Sequence, residues 1–406
     1  MVTERVEVAI VGGGLAGAAL AAMLADAGRD VLVFERQPAW HWRACGVFAS
    51  PAAVAELRRL GVEERTLTEA SQPIPAMRVE SQAGTAFRLT YGDDGSGRAT
   101  AVGFDRSALD PAMLSIAVTR GARIRRGATV GSVELGDGAT SGFGQRVRTT
   151  DGDMTEARLV VGADGIQSTV ARAAGVARAT RLPSRIGLTY HIGGDDRTSP
   201  DARMVVFPGG YCGIAPVPGG RVNVGIVLGG RHWRRALARQ GASITARAIV
   251  GDLPRDAEAP EPWRLGPECE DVAGAWPLGH AVTRRAGNGW LLVGDAAGFL
   301  DPFTGEGIHR ALVSARVAAR AILAWLGGQH DGLPSYERAM RARFLAKDLV
   351  SHIVQLFLAW PALFEYAARR LASRPRARET MGLVMGDLVP ASRALDPRFL
   401  VQLLSR

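Results

Sequence analysis

The sequence predicts an α/β fold in which a domain built on a parallel sheet is interleaved with a strand-rich domain and followed by a helical segment. Apolar runs of strand length end in glycine-containing loops near residues 11, 162 and 293. Residues 181–275 alternate strand-like runs with two Pro-Gly-Gly turns, and residues 335–406 have helical patterns broken by prolines. Buried strands that alternate with helices are typical of a parallel sheet.

The first strand and helix are joined by a glycine-rich turn. An apolar strand over 6–11 leads into Gly12-x-Gly14-x-x-Gly17, and a helix is predicted over 15–27. Gly12 allows the tight turn, Gly14 lets the backbone approach a pyrophosphate at the helix N-terminus, and Gly17 lets helix and strand pack closely. This arrangement predicts a Rossmann-like unit that binds an adenine dinucleotide.

The second predicted strand, over 30–34, ends on an acid. Glu35 lies 23 residues after Gly12, about where a carboxylate meets a ribose 2′-hydroxyl, and Arg36 follows it. The acid in register with the glycines makes the dinucleotide signal much more specific than the glycines alone.

Two later strand-like runs also end on an aspartate. Residues 159–163 lead into Asp164-Gly165, and residues 290–293 lead into Gly294-Asp295. Such positions suit a ligand bound at the carboxyl ends of parallel strands.

These motifs resemble the FAD-dependent class that holds single-component aromatic monooxygenases and geranylgeranyl-reductase-type flavoenzymes. The resemblance runs from residue 6 to about residue 325 and includes Arg106-x-x-Leu109-Asp110 ahead of a helix over 107–119. It implies a Rossmann-like FAD-binding domain interleaved with a strand-rich substrate domain. The class usually has an arginine seven residues after the position of Asp164, where this sequence has Ala171 followed by Arg172.

The resemblance and the character of each segment predict the domain boundaries. The FAD-binding domain comprises residues 1–71, 101–180 and 276–330. The substrate domain comprises residues 72–100, with a loop at 93–97, and residues 181–275, with strands at 186–192, 203–207, 211–215 and 221–228. The C-terminal helical region comprises residues 331–406, with breaks at Pro361, Pro375, Pro390 and Pro397.

The resemblance also implies roles toward FAD for residues outside the first motif. Arg106 would face the flavin, Val130 would border the adenine, and Asp295 would accept a hydrogen bond from a ribityl hydroxyl. Helix capping is the alternative role for Asp295. Backbone N–H groups ahead of a helix over 311–326 would stabilise the negative charge of reduced flavin, and they belong to Gly305, Gly307 and Ile308.

Residues 42–46 resemble an Arg-x-Cys-Gly element found near the flavin in the reductase-type branch. Arg43 would contact the flavin or its phosphate, and Cys45 would flank the substrate side of the ring, although an inert buried cysteine is the commoner outcome. His309 is the best-placed histidine for proton transfer, although most lone histidines are structural. Three residues on substrate-sheet strands are predicted to line the pocket, with core packing as the alternative: Tyr190, His191 and Tyr211.

Composition excludes several functions. The net charge is +9 and Lys347 is the only lysine, but the arginines are dispersed among acids, which argues against nucleic-acid binding. A basic surface would still attract anionic NAD(P)H or an anionic membrane. Three widely spaced cysteines without a Cys-x-x-Cys motif give no support for a disulfide framework or a metal site.

The sequence also bears on membranes and compartment. The first strand begins within six residues, which leaves no room for a signal peptide, and no run of about 18 apolar residues exists. We therefore expect a cytoplasmic monomer or homodimer without a transmembrane segment. The apolar run 344–363 is predicted to be an amphipathic helix that covers the substrate cavity or forms a dimer face, with peripheral membrane docking as the alternative.

The predicted chemistry follows from the cofactor. No second Gly-x-Gly-x-x-Gly unit is present, so NAD(P)H is expected as a transient electron donor. A monooxygenase acting on a hydrophobic aromatic, polyketide-like or isoprenoid molecule is narrowly favoured. The alternative is a reductase that saturates isoprenoid double bonds, and a non-catalytic flavin-binding protein ranks third. A flavin-dependent halogenase is disfavoured because no Trp-x-Trp-x-Ile-Pro segment occurs.

Overall fold

The computed structural model describes residues 3–44, 46–91, 100–136, 142–179, 185–193, 199–229 and 272–404. Cys45, Cys269 and the predicted loop at 93–97 lie outside these residues. The strands are β1 Thr3–Val11, β2 Val31–Glu35, β3 Phe48–Ala49, β4 Ser71–Ile74, β5 Ala76–Glu80, β6 Ala86–Thr90, β7 Ala101–Phe104, β8 Arg123–Arg126, β9 Val130–Leu135, β10 Gln145–Thr149, β11 Met154–Gly162, β12 Ala177–Arg178, β13 Arg185–Gly193, β14 Ala202–Phe207, β15 Gly210–Val217, β16 Arg221–Gly229, β17 Ala273–Ala275, β18 Ala281–Val282, β19 Ala286–Gly287 and β20 Trp290–Leu292.

The α-helices of the described residues alternate with the early strands and then dominate the C-terminal part. They are α1 Leu15–Asp26, α2 Pro51–Arg59, α3 Glu64–Glu69, α4 Arg106–Thr119, α5 Thr169–Ala173, α6 Gly307–Leu326, α7 Gly332–Ala359, α8 Pro361–Ser373, α9 Pro375–Met385 and α10 Pro397–Leu404.

A parallel sheet forms the centre of the Rossmann-like part. Its strands lie in the order β20-β11-β1-β2-β8, and every neighbouring pair in this order is parallel. Val11 pairs with Gly162 and Phe34, and Gly162 pairs with Leu292. Because these strands end at the same level, the loops that carry the predicted dinucleotide motifs meet at one edge of the sheet.

Apolar strands and an alanine-rich helix explain why this sheet is buried on both faces. The β1 residues Val8 and Ile10 are fully buried, as are Leu159 and Val161 of β11. Helix α1 is rich in alanine, so it packs closely against α4 and α6 in the same core. The predicted α/β fold class is confirmed.

A seven-stranded sheet forms the second layer. Its order is β17-β13-β16-β15-β14-β5-β6, antiparallel apart from the parallel pair β14–β5. The Pro-Gly-Gly turns lie where the sequence places them, and Gly209, Gly219 and Gly220 have positive φ values of 84°, 80° and 65°. Strands are present at all four positions predicted within 181–275, while the domain boundaries themselves stay predictions.

Prolines divide the C-terminal helices. Pro361, Pro375 and Pro397 each begin a helix, in the first helical position where the missing N–H costs no hydrogen bond. The break predicted at Pro361 is confirmed, because α7 ends at Ala359 and α8 leaves it at 116°. The apolar run 344–363 therefore covers parts of two helices. Among the described residues no single helix is long and apolar enough to cross a membrane, whereas this bent pair meets the length and composition criteria together.

Candidate cofactor site

The glycine loop between β1 and α1 has the tight geometry that its sequence predicts. Gly12 has a φ of +106°, and a Cβ there would lie 2.4 Å from the Ala163 carbonyl oxygen. A Cβ at Gly17 would lie 2.0 Å from the Gly12 carbonyl oxygen. Gly14 caps α1 without a side-chain hydrogen bond, so the first N–H groups of the helix remain available to an anionic group.

The acid at the end of β2 is buried and oriented. Glu35 Oε2 accepts a hydrogen bond from Gly13 N at 2.9 Å, and Oε1 accepts one from Gln37 N at 3.0 Å. The Glu35 carbonyl also accepts a hydrogen bond from Ala128 N, two residues before Val130 begins β9. Glu35 and Val130 therefore lie near one another at the same end of the site, and Arg36 is exposed beside them.

Two arginines share one buried carboxylate next to this loop. Arg106 binds Asp110 through two hydrogen bonds of 2.8 and 3.1 Å and donates a third, of 2.8 Å, to the Gly46 carbonyl. Arg43 Nη2 lies 3.3 Å from Asp110 and would lie 3.6 Å from a Cβ at Gly14. Arg43 is half-exposed, so its guanidinium is positioned beside the glycine loop where a pyrophosphate would bind.

In the loop after β11, one oxygen of the Asp164 carboxylate accepts a hydrogen bond, and the other has no donor within the described residues. Asp164 Oδ2 accepts a hydrogen bond from Thr169 N at 2.6 Å, while within the described residues Oδ1 is buried without a partner. Burial raises the pKa of Asp164, although hydrogen bonds from Ser168 and Thr169 partly offset this effect. Ala171 stands where the class usually has an arginine, and the next residue, Arg172, donates hydrogen bonds to the Gln167 carbonyl and to Thr169 Oγ1.

The carboxylate of Asp295 is the clearest opening for a ligand group. It lies in a short 3₁₀ turn after β20, and burial raises its pKa to about 6, against the opposing influence of Arg310 and Arg106. Within the described part of the chain no backbone N–H donates to this side chain, so no contact supports the capping alternative. A half-buried carboxylate without a donor suits a ligand hydroxyl.

The loop before α6 brings backbone N–H groups to the same edge. Gly305 has a φ of +66°, and a Cβ there would lie 2.6 Å from the Phe48 ring. Helix α6 begins at Gly307, four residues earlier than predicted, so Gly307 and Ile308 form its first turn. The first-turn N–H groups have no partner within the helix and suit an anionic group.

These groups fit FAD. The glycine loop, Glu35 and Arg43 suit the adenosine and pyrophosphate, while the open oxygens of Asp164 and Asp295 and the first turn of α6 suit the ribityl and flavin end. The fit rests on glycine positions that a Cβ would fill, on Asp164 Oδ1, which lacks a donor within the described residues, and on the buried carboxylate of Asp295, whose pKa is raised by burial.

The three predicted pocket residues do not share one face of the second sheet. Strand alternation places Tyr190 in an apolar cluster with Leu188, Cys212 and Ile226. His191 and Tyr211 project from the opposite face, where the His191 ring lies 4.4 Å from that of Trp42. Tyr190 therefore follows the core-packing alternative, while pocket roles for His191 and Tyr211 stay predictions.

His309 is directed toward the C-terminal helices. Its Nδ1 lies 3.1 Å from Asp387 Oδ2, and Asp387 also accepts hydrogen bonds from Lys347 Nζ at 2.7 Å and Ser50 Oγ at 2.8 Å. Burial alone would raise the pKa of Asp387, but the hydrogen bond from His309 and the Lys347 charge lower it below its usual range. These contacts favour a structural role for His309, and its catalytic role stays a prediction.

Asp301 is a residue that the sequence analysis missed. It is buried, accepts hydrogen bonds from the Tyr211 hydroxyl and from Phe303 N at 3.0 Å, and pairs with Arg185 at 2.7 Å. Burial, and then the Asp301 charge, raise the pKa of Tyr211 well above its usual value. Arg185 also donates to Gln355 of α7. The Asp301-Pro302 dipeptide ahead of Gly305 was the only sequence signal, since the partners Tyr211 and Arg185 lie 90 and 116 residues away.

A second set of contacts fixes the same loop to α7. Arg310 lies 3.3 Å from Glu306 and forms a hydrogen bond with Asp348, and Ser351 Oγ lies 3.5 Å from Glu306. Helix α7 therefore contacts residues 301–310, which comprise the loop before α6 and the first turn of α6, through its buried polar face.

A parallel sheet with a glycine-rich loop after β1 and acids after β2, β11 and β20 is typical of FAD-dependent oxidoreductases. The family model described as "FAD binding domain" matches residues 5–350, and the chain belongs to this family. Relatives and solved structures agree with this assignment.

The chain is 30% identical over 404 residues to menaquinone reductase of Mycolicibacterium smegmatis, covering 95% of this chain and 92% of the relative. It is 30% identical over 321 residues to digeranylgeranylglycerophospholipid reductase 1 of Methanopyrus kandleri, covering 77% and 79%. Among solved structures, the flavin-dependent halogenase CmlS superposes with a TM-score of 0.73 at 22% identity, covering 85% of this chain and 63% of that one, which shows a shared fold.

Proposed function

We propose that this chain is an FAD-dependent reductase that saturates a carbon–carbon double bond in the isoprenoid chain of a quinone or lipid. Electrons would arrive from NAD(P)H that binds transiently. The observation that carries the proposal is the end-to-end likeness to a protein named menaquinone reductase, which includes the C-terminal helical region.

The chemistry of the second sheet supports an apolar substrate. On the face that carries Tyr211, the described polar groups are engaged with one another. Asn223 donates to Thr189 Oγ1 at 3.1 Å and lies 3.4 Å from His191 Nε2, and Tyr211 donates to Asp301. Gly213 and Gly225 lie between these polar groups, and because glycine has no side chain, the surface there consists of backbone and apolar atoms. Such a surface binds hydrocarbon more favourably than a polar ring.

The chain's own residues would supply binding and orientation. Bound FAD supplies the electron transfer. Glu35 and Arg43 would hold the adenosine and pyrophosphate, and Asp295 would fix the ribityl chain. The pKa of Tyr211 is raised by burial, so its hydroxyl keeps its proton at neutral pH and holds Asp301 in place beside the flavin loop.

Anaerobic turnover tests the proposal. The purified protein with FAD and either NADH or NADPH is given a short-chain menaquinone analogue without air, and the product is analysed by mass spectrometry. Because reduction of the quinone ring to a quinol also adds two hydrogens, the product is reoxidised in air before analysis. We expect a side chain that is heavier by two hydrogens, with one NAD(P)H oxidised for each double bond reduced. Oxygen-dependent turnover that places ¹⁸O from ¹⁸O₂ in the product would instead establish the monooxygenase that the sequence favoured.

Two further outcomes complete this test. A yellow protein that oxidises neither nucleotide with any isoprenoid or aromatic substrate would be a non-catalytic flavin-binding protein. Cys45→Ser sharpens the result, because a thiol on the substrate side of the flavin should matter more for alkene protonation than for oxygen insertion. We expect this variant to lose anaerobic turnover while it keeps FAD.

A further inference from the structure

Exposed apolar side chains are concentrated in the C-terminal helices. Of the eleven large hydrophobic residues that are exposed in the described part of the chain, nine lie between residues 345 and 401. Five of them occur on α7 or directly after it: Leu345, Leu349, Ile353, Leu356 and Trp360. We refer to these five residues as the α7 stripe.

The α7 stripe lies along one face of a helix. Its members are spaced four, four, three and four residues apart, which keeps them on one side over about 22 Å. Between Leu345 and Trp360 the exposed polar residue is His352, and the one acidic residue, Asp348, is one-third exposed and pairs with Arg310. Trp360 ends the stripe at the bend into α8, a position where an indole contacts both apolar and polar surroundings.

The opposite face of α7 contacts the candidate site. Ser351 approaches Glu306, and Gln355 accepts a hydrogen bond from Arg185, which also binds Asp301. The stripe is therefore separated from the loop over 301–306 by roughly the thickness of one helix, about 10 Å. A surface that binds the stripe would lie next to the substrate site.

The charge around the stripe is positive. Residues 335–406 hold twelve of the 49 Lys and Arg residues but only six of the 40 Asp and Glu residues. Arg341 and Arg343 are exposed before the stripe, and Arg369 and Arg376 are exposed after it. An apolar face flanked by arginines matches a bilayer with anionic headgroups.

We infer that the α7 stripe docks on the surface of a membrane that contains anionic lipid, with the leucines in the acyl boundary and the arginines against the headgroups. Docking would bring the substrate site to the bilayer in which a long isoprenoid dissolves, so this role deepens the proposed function and rests on it. A second copy of the chain fits the surface less well, because a two-fold interface would place this positive region against itself.

Vesicle binding tests the inference without turnover. The FAD-loaded protein is sedimented with phosphatidylcholine vesicles that do or do not contain phosphatidylglycerol, in the absence of NAD(P)H and substrate. The test variant is Leu356→Glu, since Leu356 is 48% exposed, and the matched control is Val118→Glu, since Val118 of α4 is 53% exposed. Both variants change net charge equally.

We expect wild type to bind the anionic vesicles more tightly than the neutral ones. Leu356→Glu should weaken that binding about tenfold, whereas Val118→Glu should stay within about twofold of wild type. Leu349→Glu, a second stripe variant, should behave like Leu356→Glu. Bound FAD and circular dichroism verify that each variant is folded.

Several outcomes would overturn the inference. The first is that the wild-type protein does not bind anionic vesicles at low salt. The second is that the stripe and control variants lose vesicle affinity equally. The third is that the wild-type protein is a dimer that binds no vesicles and that Leu356→Glu converts to a monomer. Reduction of a water-soluble short-chain quinone is measured separately. If wild type binds vesicles through the stripe but reduces no isoprenoid in any form, the proposed function fails while the docking surface stands.

Discussion

The two ends of the cofactor site are built in different ways. The adenosine end is local in sequence, since the glycine loop and Glu35 fall within residues 12–35 and are held by backbone geometry. The end proposed for the flavin is assembled from distant segments, and the segment 301–310, which includes the first turn of α6, is fixed to α7 and β13 by buried polar pairs.

The two ends should therefore be sensitive to different kinds of substitution. The adenosine end depends on the absence of side-chain atoms, so adding one methyl group should disable it. The flavin end depends on charges that compensate one another in the interior, where removal of one partner leaves the other uncompensated. Substitutions at the two ends should therefore differ in how much stability and FAD affinity they remove, and in which second substitution restores them.

Gly17→Ala should have the largest effect. Its Cβ would lie 2.0 Å from the Gly12 carbonyl oxygen, so α1 must move away from β1. We expect the free energy of unfolding to fall by about 4 kcal/mol and FAD binding to be lost. Chemical denaturation and FAD titration measure both. The control is Gly131→Ala, whose Cβ would make contacts of 3.5 Å or more and should cost less than about 1 kcal/mol. Normal FAD affinity in Gly17→Ala would contradict the conclusion that this end depends on close backbone contacts within the glycine loop.

Asp387→Asn should come next, because it leaves the buried Lys347 ammonium without its carboxylate. Asparagine tolerates the φ of +57° at this position, so the change isolates the charge. We expect a loss of about 3 kcal/mol in the free energy of unfolding. The matched control is Asp331→Asn, which breaks an exposed pair with Arg338 and should cost less than about 0.5 kcal/mol. Equal losses in the two variants would contradict the interior role of Asp387.

Asp295→Ala should weaken FAD binding with little effect on the apoprotein fold. Loss of a charge-assisted hydrogen bond to the ribityl chain should cost about 1.5–3 kcal/mol of binding free energy. Titration of FAD into the apo variant measures the dissociation constant. An unchanged constant would remove Asp295 from the cofactor site.

The same carboxylate should make the apoprotein sensitive to pH. Burial raises the pKa of Asp295 to about 6 in the folded chain. The folded apoprotein is therefore most stable below pH 4, where this carboxyl is protonated, and it loses stability as the pH rises through 6 and the buried carboxyl ionises. Relative to Asp295→Asn, the wild-type apoprotein should lose about 1–2 kcal/mol between pH 4 and pH 7. FAD affinity should change in the opposite direction, because a hydroxyl donor prefers the ionised carboxylate. Parallel stability curves for the two proteins would contradict the buried environment.

The sequence predicts the features that depend on neighbours in the chain. The glycine spacing, the strands that end at Glu35, Asp164 and Asp295, and the helix starts at proline follow from local backbone preferences. Tyr190 and His191 lie on opposite faces because adjacent residues of a strand point to opposite sides, and the alternation of side chains does not say which side is the pocket. Arg185 lies 116 residues from Asp301, and Ser351 lies 45 residues from Glu306, and no local pattern specifies such pairs.

The hydrogen bond from Ser50 to Asp387 joins positions separated by 337 residues. At a synthesis rate of 5–20 residues per second, the serine that caps α2 waits roughly 17–70 s on the ribosome before its partner exists. The hydrogen bond that joins α2 to Asp387 therefore forms only after α7, α8 and α9 have been synthesised. The contacts of His309 and Lys347 with Asp387 are made at the same late stage.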